Sequence, residues 1–339
     1  MKVLLTGASG FVGAHCVKAL IDAGHAVRAL ARTPGKVERA LAPLGAPRIE
    51  VVQGDVTDRA SVERAVDGCD GVLHAANVYS LDPRLGALMH ETNVTGTDLV
   101  IGAAREAQCD PIVHVSSVVA LLPAQGQRID ADGPVGSPTP AYSASKARAE
   151  EVARRHQAEC DAVVITYPGS VFGPHDPVPG EMVHALHGFL GNRFCFRLGS
   201  AGVLQVDVRW LARVHAALFM PGQGPRRVAI GGTYLAWSGY FALLRELTGR
   251  ALPLLLPTPR PLAFATGALA DAIQGMVSTR LPFSSESTWL AFHLAPTDDS
   301  RAIALAGEPP PLEETVADAI RWSVEAGHVP AKWAGKLAI

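Results

Sequence analysis

Residues Val3-Leu4-Leu5-Thr6-Gly7-Ala8-Ser9-Gly10-Phe11-Val12-Gly13 decide how this chain folds. A short apolar run delivers three glycines, each three residues apart, straight into the amphipathic stretch Val12–Ala23. A strand that enters a helix through such a turn has specific uses for each glycine. Gly7 permits the tight turn, Gly10 lets backbone amides approach a pyrophosphate, and Gly13 allows close helix–strand packing. The free N–H groups and the positive end of the helix dipole then favour an anion. The flanking strand and helix raise the pattern from a glycine-rich turn to a dinucleotide-binding loop.

Working outward, the first half of the chain alternates two textures. Apolar, β-branched runs recur at Val3–Thr6, Ala26–Ala31, Ile49–Gln53, Gly71–Ala75, Ile112–Ser116 and Ala162–Thr166. Longer amphipathic stretches lie between them, at Val12–Ala23, Ser61–Val66, Asn93–Ala107 and Ala141–Cys160. Strands without polar alternation, each followed by a helical pattern, spell repeated βαβ units. The expected fold class is therefore α/β: a Rossmann doubly wound parallel sheet with helices on both faces. The texture changes near Pro168, where Pro and Gly become dense, as at Pro174–Gly180, Pro253–Pro261 and Glu308–Pro311. Gln205–Leu218 reads as a strand end and a helix, and Arg227–Ile230 as a strand. This predicts a dinucleotide-binding domain over residues 1–168, with segments about 204–234 returning to it. Residues 169–203 and 235–339 form a smaller mixed lobe for substrate.

Composition narrows the function classes. The chain has 339 residues, 48% of them hydrophobic and 18% charged, with a formal net charge of −2. That balance excludes disorder, which needs low hydrophobicity and high net charge. It also lacks the basic excess of a nucleic-acid-binding domain. The five cysteines, Cys16, Cys69, Cys109, Cys160 and Cys195, include no C-x-x-C pair. Neither a disulfide framework nor a metal site is expected, and a cytoplasmic location is. No stretch reaches the roughly 18 apolar residues of a membrane span. Met1–Leu5 starts like a signal peptide, but the glycines interrupt any apolar region that would follow.

The second strand ends Leu30-Ala31-Arg32-Thr33, where a carboxylate would bind the ribose 2′-hydroxyl of NAD and an arginine suits a 2′-phosphate. No acid is in reach. Arg32 offers a planar fork and Lys36 stands nearby, so NADP(H) is favoured over NAD(H). The fourth strand ends Leu73-His74-Ala75-Ala76-Asn77, where Ala75 and Ala76 let a cofactor lie close to the backbone. His74 reads as a packing residue.

The chemical signal is Tyr142-Ser143-Ala144-Ser145-Lys146. Residues four apart share a helix face. An ammonium beside a phenol favours phenolate, and a tyrosine tuned in this way exchanges a proton near neutral pH. The pair follows a strand ending Val113-His114-Val115-Ser116-Ser117. A hydroxyl at Ser117 can hydrogen-bond a substrate oxygen where negative charge develops. Strand alternation points Ser116 the other way.

Thr6, the G-x-x-G-x-x-G spacing, Ser117 and the Tyr-x-x-x-Lys 25 residues later together resemble the extended branch of the short-chain dehydrogenase/reductases. The pattern is most similar to its dihydroflavonol-reductase-like and 3β-hydroxysteroid-dehydrogenase-like members. Asn93-Val94-Thr95-Gly96-Thr97 resembles the family's N-V-x-G-T. Tyr167-Pro168-Gly169-Ser170-Val171-Phe172-Gly173-Pro174 resembles its R-P-x-x-V-Y-G-P. Val206-Asp207-Val208-Arg209 resembles a V-D-V-R before a late helix. The resemblance implies catalysis by Ser117, Tyr142 and Lys146. It implies cofactor contacts from Thr6, Gly7, Gly10, Phe11, Val12, Gly13, Arg32, Asp55, Val56, Ala75, Ala76, Asn93, Tyr142, Lys146, Pro168, Ser170 and Val171. Tyr79, Val118, Val119 and Gly169 are candidates for the substrate pocket.

The implied reaction is hydride transfer between a nicotinamide and a carbonyl or alcohol carbon of a small molecule. Nucleotide-sugar epimerases of this branch carry R-Y-F-N and R-D-F-(I/V)-H-V elements that grip a diphosphate. Here the corresponding segments read Ile165-Thr166-Tyr167-Pro168-Gly169 and Ser200-Ala201-Gly202-Val203-Leu204-Gln205-Val206. A carbonyl reductase for an apolar substrate is therefore favoured, with an epimerase or dehydratase holding bound NAD as the alternative. Sensors of the same superfamily that do no chemistry typically lose the tyrosine or lysine, which this chain keeps. Relatives often form homodimers through the helices corresponding to Asn93–Ala107 and Tyr142–Cys160. His184 and His187 can share a helix face but lack a third metal ligand.

Overall fold

Val3 and Leu5 of strand β1 (Lys2–Thr6) face one side of the chain's central sheet and Leu4 faces the other, all three fully buried. A strand buried on both faces must lie between two layers of helices. The computed structural model describes all residues except 81–82, 193, 200, 225, 252, 277–283 and 339. After β1 come β2 (Ala26–Ala31), β3 (Glu50–Gln53), β4 (Gly71–His74), β5 (Ile112–Val115) and β6 (Val163–Pro168). The later strands are β7 (Ser170–Phe172), β8 (Phe194–Arg197), β9 (Gly202–Asp207), β10 (Arg226–Ile230), β11 (Thr233–Ala236) and β12 (Leu254–Pro257).

Seven strands form one parallel sheet in the order β10-β6-β5-β4-β1-β2-β3. The chain first winds outward through β2 and β3, then returns to place β4 on the other side of β1. That reversal opens a crevice at the carboxyl ends of β1 and β4, where open α/β sheets bind ligands. Helices Phe11–Asp22 and Val208–Ala217 cover one face, and Arg59–Val66, Gly96–Glu106 and Ala141–Glu159 the other. Both cores are mostly aliphatic, with Trp210 and Phe219 in one and Tyr142 and Tyr167 in the other. Truncating a residue such as Leu5 to alanine would cost about 2–5 kcal/mol.

The stretch expected as one helix over Asn93–Ala107 differs from that reading. A helix begins earlier, at Gly86–His90, widens into a π turn at Glu91–Thr95, and continues as Gly96–Glu106. Within this turn the Asn93 side chain reaches out of the helix to the Val78 backbone.

Beyond the sheet, β9 pairs parallel with β7 and antiparallel with β11, while β8 and β12 form a parallel pair. A third core, built on Phe172, Leu190, Tyr240, Leu244, Val316 and Ile320, holds this region together. Asp207 ends β9 and caps helix Val208–Ala217, accepting the Arg209 N–H at 2.7 Å. It also receives the Arg209 guanidinium at 2.7 Å and the Thr315 hydroxyl at 2.8 Å. The V-D-V-R segment is thus an architectural joint between this helix and the third core. Among the described residues, no helix is long and apolar enough to cross a membrane.

Candidate active site

The crevice is built by glycines and one threonine. Gly7 has φ +82°, and a Cβ there would stand 2.8 Å from the Ala75 carbonyl and the Ala76 nitrogen. The β1 loop therefore lies directly on the end of β4. Thr6 locks the two together: its hydroxyl oxygen accepts the Ala76 N–H at 3.2 Å and stands 2.7 Å from His74 Nδ1. His74 Nε2 lies 3.2 Å from the Thr97 hydroxyl, which itself donates to the Asn93 carbonyl at 2.6 Å. Because that hydroxyl proton is already engaged, His74 carries its proton on Nε2 and accepts from Thr6 at Nδ1. Burial, with the nearby Lys146 charge, pushes His74 down to about 3, so it remains a neutral strut.

A Cβ on Gly13 would fall 2.1 Å from the Gly7 carbonyl oxygen, so only glycine lets helix Phe11–Asp22 start this close. Gly10 is different: its Cβ would meet only the Gly7 oxygen, at 3.4 Å. Gly10 is the extended N-cap and no side chain caps the helix. The first-turn N–H groups thus face the crevice, a cradle that fits a diphosphate. Phe11 packs edge-on against His15 at 5.4 Å, and Val12 is half-buried on the core.

At the end of β2, Arg32 is 70% exposed and its Nε lies 3.9 Å from Asp55 Oδ2. The other Asp55 oxygen accepts the N–H and hydroxyl of Thr57, both at 3.0 Å. Val56 is buried beneath, where a Cβ on Gly96 would press to within 3.0 Å of it. That close contact explains the glycine of Asn93-Val94-Thr95-Gly96-Thr97.

On the other side of the crevice, Ser117 follows β5 and Tyr142 opens helix Ala141–Glu159. Asn77 and Ser117 stand by the Tyr142 hydroxyl and favour its ionised form. Ser117 Oγ accepts the Val119 N–H at 3.2 Å, which fixes its rotamer. The Tyr79 ring meets Tyr142 edge-on at 4.6 Å. Lys146 lies one turn along the helix, buried, with Nζ donating to the Val115 carbonyl at 3.4 Å. Burial pushes Lys146 down to about 8, against the opposing pull of Glu150. Burial and the negative charge of Glu286 hold the Tyr142 phenol above the ordinary tyrosine value. This is the reverse of the shift expected from an adjacent Lys146.

Asn93 stands behind the tyrosine. Its amide accepts the Val78 N–H at 2.8 Å and donates to the Val78 carbonyl at 3.0 Å and to Ser145 Oγ at 3.1 Å. Ser145 in turn donates to the Tyr142 carbonyl at 2.7 Å. Asn93 thereby ties the loop after β4 to the helix that holds Tyr142 and Lys146. Ser116 points away from the crevice and donates to Glu150 at 2.7 Å.

The remaining expected residues are distributed less evenly. Val118 and Val119 are buried in the same core as Tyr142 and form the wall behind it. Pro168 ends β6. The Gly169 N–H donates to Ile230 at 3.0 Å, and a Cβ there would fall 2.3 Å from the Gly231 oxygen. Ser170 and Val171 lie in β7, opposite Gln205 and Val206. His184 and His187 are exposed on helix Glu181–Gly191, and the His187 ring packs on Trp333 at 4.6 Å. Ser200, in the segment compared with the epimerases, lies outside the described residues.

Three residues at the site escaped the sequence reading. Asn77 was visible after a strand end but carried no role until the fold placed it by the Tyr142 hydroxyl. Glu150 is fully buried and accepts from Ser116, Tyr167 and Arg154 at 2.7, 2.7 and 2.6 Å. Glu286 comes from the far end of the chain. It accepts the Tyr142 and Ser143 N–H groups, each at 3.0 Å, and the Ser143 hydroxyl. No local motif marks it.

A sheet of this order, with a glycine cradle at its switch point, defines a dinucleotide-binding enzyme. A family model described as "NAD dependent epimerase/dehydratase family" matches residues 3–192, more than half of the chain, and the chain belongs to that family. It is an NAD(P)-dependent oxidoreductase of the extended short-chain dehydrogenase/reductase type. It is 28% identical to a putative dihydroflavonol 4-reductase of Synechocystis, over 96% of this chain and 95% of the relative. It is 30% identical to cinnamoyl-CoA reductase 1 of Oryza sativa, over 73% of this chain and 76% of the relative. It is 31% identical to 2-alkyl-3-oxoalkanoate reductase of Stenotrophomonas maltophilia, over 74% and 75%. The solved structure of gox2253 superposes with a TM-score of 0.77 at 25% identity, covering 96% of this chain and 99% of that one.

Proposed function

We propose that the protein reduces a ketone or aldehyde on an apolar small molecule, using NADP(H). The observation that carries this reading is the grouping of Ser117 with Tyr142, one helical turn from buried Lys146. When bound, the reduced nicotinamide supplies the hydride. Gly7, Gly10 and Gly13 would hold its diphosphate, and Arg32 the 2′-phosphate in place of its 3.9 Å contact with Asp55. Asp55 and Val56 would border the adenine, with Ala75, Ala76, Pro168, Ser170 and Val171 along the rest of the crevice.

Ser117 aligns the substrate oxygen, and Tyr142 gives it a proton as negative charge develops there. Lys146 supplies positive charge one turn away, which offsets the Glu286 field and makes that proton easier to release. General acid catalysis of this kind contributes roughly 10²–10⁴-fold. Tyr79 and Gly169 would border the substrate, in front of the apolar wall of Val118 and Val119. Residues 169–203 and 235–339 would supply the rest of the pocket. Buried valines offer no partner to a sugar diphosphate, whose doubly charged group calls for guanidinium forks. The five free thiols suit a cytoplasmic setting. Helices Gly96–Glu106 and Ala141–Glu159 are the proposed faces of a homodimer.

The test is a titration with NADPH and with NADH, read by thermal shift, followed by turnover on aromatic, steroid and aliphatic carbonyls. A ligand at a hundred times its dissociation constant adds about 2.7 kcal/mol of stability. NADPH should stabilise the wild type and its Tyr142→Phe variant alike, while only the wild type turns over. A shift with NADH alone would overturn the Arg32 assignment. Cofactor retained through gel filtration would favour an epimerase. Binding without turnover on any carbonyl would leave a dinucleotide sensor.

A further inference from the structure

Arg154, Arg226, Arg227 and Arg301, with Asp132 and Gln157, line a surface cleft of about 500 Å³. It opens at the amino ends of β6 and β10, the opposite edge of the sheet from Tyr142. Gln157 marks the place: its Nε2 donates to Val163 at 3.1 Å and to Arg226 at 3.3 Å, the first residues of those strands. The arginines come from three elements, helix Ala141–Glu159, β10 and helix Ser300–Ala306.

Three of the four are held in place. Arg154 donates to Glu150 at 2.6 Å and to the Gly133 carbonyl at 2.7 Å. Arg227 Nε donates to Gln157 Oε1 at 2.9 Å. Arg301 donates to the Arg227 carbonyl at 2.7 Å and to Asp132 at 2.6 Å. Arg226 is the exception. Its Nε and Nη2 are shielded from solvent and have no hydrogen-bond partner among the described residues. A buried donor left unmade costs about 1–3 kcal/mol, and more when charged.

Four arginines thus line the cleft beside a single lining carboxylate; Arg154 is paired with Glu150 beneath it, and Arg226 lacks an acceptor for its Nε and Nη2 among the described residues. We propose that this cleft binds a phosphate group, free or as the monoester of a small molecule, with Arg226, whose Nε and Nη2 lack an acceptor, turning to meet it. A dianion rich in acceptors answers the excess of donors, and the guanidinium fork matches its oxygens. The cleft is roomier than inorganic phosphate needs, which leaves space for the organic part of an ester. None of the four arginines belongs to the proposed catalytic group, so the site stands or falls apart from the reductase reading.

Isothermal titration with inorganic phosphate tests this, on the wild type, Arg226→Gln and Arg226→Lys, with potassium chloride at matched ionic strength as control. Arg226→Gln removes charge without breaking any side-chain hydrogen bond, and Arg226→Lys keeps the charge but loses the fork. Saturable binding by the wild type is expected, weakened at least about tenfold in Arg226→Gln and less in Arg226→Lys, since each 1.4 kcal/mol is tenfold. Phenyl phosphate binding at least as well as inorganic phosphate would identify an ester site, and weaker binding a site for the free ion. Equal phosphate affinity in wild type and Arg226→Gln would overturn the proposal, because phosphate held at the glycine cradle is common to both. So would chloride reproducing the phosphate response.

Discussion

Glu286 holds the head of the helix on which Tyr142 stands, from 144 residues further along the chain. Each of its carboxylate oxygens accepts one backbone N–H, from Tyr142 and from Ser143. Burial nonetheless raises Glu286 above the ordinary glutamate value. A carboxylate here satisfies two orphan donors and complements the helix dipole, but it also disfavours the phenolate beside it.

Glu286→Gln keeps one acceptor and turns an amide N–H₂ towards a backbone donor. Stability should fall by about 1–3 kcal/mol in urea denaturation. Turnover should fall as Tyr142 loses its anchor, while cofactor affinity, set across the crevice, stays within about twofold. Unchanged stability and turnover would remove Glu286 from the site.

Lys146 gives a stability signature of opposite sign to that of an ordinary ion pair. The folded protein releases the Lys146 proton near 8, whereas the unfolded chain holds it to about 10.4. Unfolding therefore takes up a proton between those values, and stability rises with pH across that window. Relative to Lys146→Met, the wild type should gain on the order of 3 kcal/mol from pH 7 to pH 10. Thermal or urea denaturation at both pH values measures it. A flat difference would mean that the ammonium is solvated. The variant should be inactive yet more stable at neutral pH.

Acid should act through buried histidines. Burial pushes His15 and His215 down to about 4 and His74 to about 3. Each is neutral when folded and charged when unfolded below about 6.5, so stability is lost as pH falls through that value. The slope reaches about 1.4 kcal/mol per pH unit for each histidine. His74→Gln should be less stable than wild type at pH 7, and the gap should narrow at pH 5. A constant gap would contradict the neutral strut.

Two glycines three residues apart, Gly10 and Gly13, should behave differently when given the same methyl group. Gly13→Ala drives a Cβ into the Gly7 carbonyl, so the loop must open, and overpacking of this kind costs about 1–3 kcal/mol. Gly10→Ala meets no such contact and should retain stability while weakening cofactor binding. Parallel thermal shifts with and without NADPH separate the two. Equal stability in both variants would refute the close approach of helix and strand.

The sheet and the cradle were legible because their signals are local. Leu4 between Val3 and Leu5 announces a strand buried on both faces, and the glycine spacing announces the turn. The grouping of Ser117, Tyr142 and Lys146, on which the proposed function rests, comes from equally local signals: Tyr142 and Lys146 share one helix, and Ser117 follows one strand. Glu286 was not legible, since an isolated glutamate in a C-terminal helix carries no pattern until the tertiary fold brings it to Tyr142. Glu150 was hidden by its own helix, where a glutamate beside Glu151 and Arg154 reads as a solvated face. The direction of the Tyr142 shift was misread because sequence supplies Lys146 but neither the burial nor the opposing carboxylate.

The π turn at Glu91–Thr95 governs how this enzyme could be rebuilt. The Gly96 N–H reaches back five residues to the Glu91 carbonyl, so the turn holds one residue more than a regular helix. Each residue rotates the helix by about 100°, and that offset is what lets Asn93 grip Val78 while Gly96 still faces Val56. Deleting a single residue would straighten the helix and force a choice between the two contacts. Any chimera that exchanges the segment between β4 and β5 must therefore carry the bulge intact, together with the loop it clamps.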